Sequence, residues 1–90
     1  MKPLAELFPA NKTYSDYIPG EVMELVFVKG MTITRAWREY LGLLQSDVAE
    51  KLGLTQGAYS KLEAKKKHKQ ATRAKLAQVF GIFEDQLDIE

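Results

Sequence analysis

Gln45–Ala64 reads QSDVAEKLGLTQGAYSKLEA, and the fold turns on this stretch. Val48, Ala49 and Leu52 fall on one helical face; Tyr59 and Leu62 repeat at i, i+3 after Gly53, with Leu54 in the turn between. A glycine between two short amphipathic segments marks a point where the backbone takes a positive φ and changes direction steeply. The pattern predicts one helix that begins at Gln45 and ends before Gly53. It predicts a second, capped by Thr55, that runs to about Ala64. Two short helices crossing at a large angle hold one of them clear of the domain body. A projecting helix has the dimensions to enter the major groove of DNA.

Upstream, Thr32 is placed to cap a helix from Ile33 to about Leu41, closed by Gly42. Ile33, Trp37 and Leu41 lie four apart and form its inward stripe, flanked by Ala36 and Tyr40, while Arg35, Arg38 and Glu39 are expected to face water. Before it, Pro19 and Gly20 mark a break, and Glu21 to Lys29 reads as a further helix, with Glu21 and Glu24 near its positive end and Gly30 as its stop. Its β-branched content also suits a strand. Residues 1–18 carry Pro3 and Pro9 without sustained periodicity and read as a flexible arm, with a short helical turn near Leu4–Phe8.

Downstream comes a lysine-rich loop, Lys65 to Gln70. A helix from Thr72 to Phe80 follows, with Leu76, Val79 and Phe80 inward and Gly81 as its stop, then a short last helix near Phe83–Leu87. The expected fold is all-α: one domain over 19–90 behind an arm at 1–18.

Ninety residues, 46% of them hydrophobic, suffice for one small core. There is no cysteine, so neither a disulfide nor a thiolate metal site supports the fold. The longest apolar run, Leu25–Val28, is far too short to span a bilayer, and the first residues lack a signal-peptide core. A soluble cytoplasmic protein is expected. The net charge of +1 conceals an uneven distribution. Lys61 to Lys75 holds seven Lys or Arg and one acid, Glu63, whereas Leu76 to Glu90 holds four acids and no base. Such a division points to a polyanionic partner on one face.

Catalytic and metal chemistry find no support. His68 is the single histidine and has no cysteine beside it, so no metal site is expected. Glu63 reads as a cap or an ion-pair partner of a nearby lysine, and Glu84, Asp85 and Asp88 as acidic surface without a matching base. The six glycines stand singly, so no phosphate-cradling loop is present. Trp37 belongs to the core stripe, and Tyr59 packs behind the second helix of the central pair. No enzyme activity and no cofactor are expected.

Residues 34–87, TRAWREYLGLLQSDVAEKLGLTQGAYSKLEAKKK…TRAKLAQVFGIFEDQL, resemble the helix-turn-helix domain of the Cro and phage-repressor class, the XRE-type family. Arg-x-Trp-Arg-Glu before a glycine, the Gln45 start, Ala49, Gly53, the Thr55–Gln56 opening, Leu62–Glu63 and a closing L-A-x-x-F-G-I occur in the family order and spacing. The resemblance implies a five-helix lambda-repressor-like domain with an extra N-terminal helix, bound to double-stranded DNA. The helix opened by Thr55 would be the recognition helix, with Gln56, Gly57, Ser60 and Lys61 toward the bases. Gln56 suits an adenine edge and Lys61 a guanine edge; each good pair discriminates by about 1–3 kcal/mol. Gln45, Thr55, Lys65, Lys66, Lys67 and Lys69 would contact phosphates and fix register. The family commonly has Thr where this chain has Leu44, which removes a hydroxyl cap; Ser46 is the alternative cap, one turn later.

One recognition helix reads few base pairs, so a homodimer on a palindromic operator is expected, with Ile82, Phe83, Leu87 and Ile89 as its interface and the apolar helix 21–29 as the alternative. Residues 16–42, DYIPGEVMELVFVKGMTITRAWREYLG, are also similar to the region preceding the DNA-binding domain in some antitoxins of toxin–antitoxin pairs. That similarity implies an autoregulating repressor that neutralises a small ribonuclease toxin. Toxin binding as the main role is the alternative function.

Overall fold

The computed structural model describes residues 17–89. The helical turn expected at Leu4–Phe8, and the arm up to residue 16, lie outside them. Five α-helices follow in order: α1 Gly20–Phe27, α2 Ile33–Tyr40, α3 Gln45–Leu52, α4 Gln56–Glu63 and α5 Gln70–Phe80, with a 3₁₀ turn at Glu84–Leu87. There is no strand among the described residues, so the strand alternative for residues 21–29 falls away.

Local chemistry accounts for most of the helix ends. Thr32 Oγ1 accepts from the Arg35 N–H at 3.2 Å, and Thr55 Oγ1 accepts from the Ala58 N–H at 3.1 Å. Each satisfies one of the donors that a helix start leaves free. Gly53 ends α3 at φ 72° and Gly81 ends α5 at φ 72°, the left-handed conformation a glycine adopts without steric cost. The start of α3 departs from expectation. Ser46 does not shift the helix. Leu44 occupies the cap position without a side-chain acceptor, and Asp47 Oδ2 accepts from the Leu44 N–H at 2.8 Å, which supplies the reciprocal half of a capping box.

Val22, Ile33, Ala36, Trp37, Val48, Ala49, Tyr59, Leu76, Ala77, Phe80 and Leu87 form one core. α1 packs on α2, α3 on α4, and α5 on the 3₁₀ turn, α3 and α2. Trp37 is in the core as expected, and its Nε1–H donates to the Gln86 carbonyl at 2.8 Å. Leu41 is not: α2 ends at Tyr40, and Leu41 lies exposed in the turn. Arg38, expected in water, is buried on the core side of α2. α5 starts two residues before Thr72, and the last helix is a 3₁₀ turn. Tyr17 and Ile18 are tied to the domain: the Gln86 side chain donates to the Tyr17 carbonyl, and Ile18 packs on the core.

Candidate nucleic-acid interface

α4 is a short helix with a buried side and a bare one. Tyr59 and Glu63 face inward, while Gln56, Gly57, Ser60, Lys61 and Ala64 are exposed. At a helical turn of 100° per residue, Gly57, Lys61 and Ala64 lie along the centre of the exposed side, with Gln56 and Ser60 along one edge. Gly57 takes an ordinary helical φ, and a Cβ built there meets nothing within 4 Å.

Beneath α4 sits a polar cluster that the sequence did not announce. The Glu63 carboxylate accepts from Arg38 Nε at 2.5 Å and Arg38 Nη2 at 3.2 Å, from Tyr59 Oη at 2.8 Å and from Gln45 Nε2 at 2.9 Å. Arg38 Nη1 donates to the Leu43 carbonyl at 2.8 Å, and Thr32 Oγ1 donates to the Glu63 carbonyl at 2.7 Å. Glu63 therefore pairs with an arginine of α2, not with a nearby lysine. Burial alone would raise the Glu63 carboxyl; the hydrogen bonds from Arg38, Gln45 and Tyr59 outweigh it and hold the group below its ordinary value. The Glu63 hydrogen bond pushes the Arg38 guanidinium up, and burial followed by the Glu63 contact pushes the Tyr59 hydroxyl up.

The cluster also sets the direction of two amides. A carboxylate only accepts, so Gln45 turns its NH₂ toward Glu63 and its Oε1 outward. Gln45 Oε1 then receives Gln56 Nε2 in a long contact of 3.4 Å. Among the described residues Gln56 keeps one N–H and its carbonyl free, the donor and acceptor pair that an adenine edge complements. Gln45 is half-buried between α4 and the Arg38–Glu63 pair.

Thr55 and Lys65, Lys66, Lys67 and Lys69 are all exposed. Lys61, Lys65, Lys67 and Lys69 border a cleft of about 420 Å³ between α4 and α5. Lys66 is set apart from it and lines the cavities toward Ile33 and Ile89. His68 is half-buried inside the loop, with Nε2 3.2 Å from the Thr34 hydroxyl. Burial, then Lys65 and Arg73, hold its imidazole below the usual 6.5, so it adds no charge to the loop at neutral pH. On the opposite flank of α4 a second cleft, of about 480 Å³, is bordered by Arg35, Arg38, Gln45 and Ser60. Sequence reasoning missed both arginines here; their spacing of three on α2 was the available signal.

Of the four expected dimer residues, Leu87 is 4% exposed and belongs to its own chain's core, so it is not free for a partner. Ile82 and Ile89 pack partly against that core, and Phe83 stands 43% exposed. No described helix is long and apolar enough to cross a membrane.

No curated protein and no solved structure matches the chain. The sequence model of the helix-turn-helix family matches residues 35–82, from the first turn of α2 to the residue after the Gly81 stop of α5, more than half of the chain. With α3, the Gly53 turn and an exposed α4 inside that match, the chain belongs to the Cro/C1-type helix-turn-helix family, XRE class, of DNA-binding transcription regulators.

Proposed function

We propose that this protein is a dimeric, sequence-specific repressor that sets α4 into the major groove of a palindromic operator. The observation that carries the reading is the oriented pair of amides, Gln45 and Gln56, anchored on the buried Glu63. Gln56 and Lys61 read base edges, Gly57 lets the helix approach closely, and Ser60 lies at the edge of the same surface. Gln45, Thr55, Lys65, Lys67 and Lys69 hold phosphates around it, with Lys66 adding charge from farther back.

Selection of bound duplexes from a randomised pool tests this reading. Lys61→Ala is expected to relax preference at one base position. Lys65→Ala is expected to weaken all duplexes alike and to lower the salt slope by about one. Equal effects of the two changes on sequence preference would refute the division of roles.

A second reading is favoured by one observation. Phe27 and Val28 at the end of α1 are 67% and 71% exposed, ahead of the family match. An adjacent apolar pair of this kind offers a place for a partner to dock, and in an autoregulating antitoxin it would meet a small ribonuclease toxin. Co-expression with the product of the neighbouring reading frame tests it: a stable complex that Val28→Glu abolishes supports the reading, and no complex removes it.

A further inference from the structure

We infer that the cleft between α2 and α4 seats a backbone phosphate of duplex DNA, and that Arg35 is the side chain that holds it. The inference rests on the DNA-binding reading above and adds a residue to it. A helix in the major groove has a phosphate strand on either side. The lysines border only one flank of α4, the cleft toward α5. The other flank is the cleft of about 480 Å³ bordered by Arg35, Arg38, Gln45 and Ser60.

The two arginines of that cleft differ in what they have left to give. Arg38 is committed: Nε and Nη2 go to Glu63 and Nη1 to the Leu43 carbonyl. Arg35 uses only Nε, which donates to Glu39 Oε2 at 2.8 Å, and its side chain is 51% exposed. Its terminal nitrogens make no hydrogen bond to another described residue. A guanidinium held by Nε presents those nitrogens as a fork that matches two phosphate oxygens. Ser60 brings a further hydroxyl donor to the same cleft from α4. Glu39 plays the opposing part. Its carboxylate is shared between Arg35 and Arg38, the latter at 3.8 Å, and repels an incoming phosphate while it orients Arg35.

The test is a fluorescence-anisotropy titration over a series of KCl concentrations. Its probe is a labelled duplex recovered from a randomised pool by selection with the wild-type protein. Arg35→Gln is expected to weaken that duplex and unrelated duplexes by the same factor. It should keep the preferred sequence and make the salt dependence shallower by about one phosphate's worth, roughly 0.9 in slope. Glu39→Gln keeps an acceptor for Arg35 and removes the charge, so it is expected to tighten binding. Thermal melts establish that both variants fold. An Arg35→Gln slope equal to wild type, beside a Lys65→Ala slope that falls, overturns the assignment and leaves the regulator reading intact. So does a changed sequence preference in Arg35→Gln, or unchanged or weaker binding by Glu39→Gln. A wild-type protein that binds no duplex overturns the regulator reading itself.

Discussion

Glu63 concentrates more structural consequence than any other single side chain in this fold. It closes a buried ion pair with Arg38, receives Tyr59 and Gln45, and fixes through Gln45 the direction of Gln56. Its removal leaves Arg38 buried with only the 3.8 Å contact to Glu39 to balance its charge. Glu63→Gln is therefore expected to lower stability by about 3–5 kcal/mol, the usual cost of breaking one side of a buried pair; urea unfolding at neutral pH measures it. The pH dependence follows from the depressed carboxyl. The folded-state value lies below the ordinary 4.5, so the stabilisation is complete above that value and is lost as pH falls through the folded value. Unfolding midpoints of the wild type should decline over that acid range, and those of Glu63→Gln should lack this component. Neither residue announced the pair. Arg38 shares a helix with Arg35 and Glu39, which do face solvent, and its partner stands 25 positions away. Helical spacing orders residues within one element; it does not say which charge of a distant helix will be folded against them.

At the scale of the element, the helix ends were the most legible part of the chain. Thr32, Thr55, Gly53 and Gly81 act through their own backbone neighbourhoods, so their roles do not depend on the rest of the fold. Legibility failed where a boundary has no local agent. α5 begins at Gln70 behind Lys69, whose side chain accepts nothing, and Leu41 leaves the helix in spite of its periodic position. The start of α3 is half-capped, because Leu44 holds the cap position with no acceptor and is 65% exposed, so its side chain gains little by burial. Leu44→Ser supplies the missing oxygen while Asp47 keeps its bond to the residue-44 N–H. A gain of about 1 kcal/mol is expected. In a domain of this size that is a rise in Tm of roughly 4–8 °C, measured by calorimetry. No gain would mean that Asp47 alone already satisfies the start of α3.

The whole molecule is constrained by what a single α4 can read. In the repressor reading proposed above, a few base pairs do not distinguish an operator from the many competing sites of a genome, and a second copy across a two-fold axis supplies the other half of a palindromic site. The surface proposed to join the copies was the least legible feature in the sequence. Ile82, Phe83, Leu87 and Ile89 look alike as an apolar run, yet Leu87 is spent on the core and Ile82 and Ile89 lean on it. Only burial separates them, and burial is a property of the folded whole. Phe83 is the one with a face to offer, opposed by Phe27 and Val28 at the far end of the chain. A charge at the interface is costly once desolvated, so Phe83→Glu is expected to convert a dimer into a monomer in sedimentation velocity. The same variant should keep binding to an isolated half-site and lose the added affinity for two half-sites in register. Val28→Glu should leave the sedimenting mass unchanged. The reverse result, a monomer from Val28→Glu and a dimer from Phe83→Glu, would move the symmetry axis to α1 and take that surface away from any other partner.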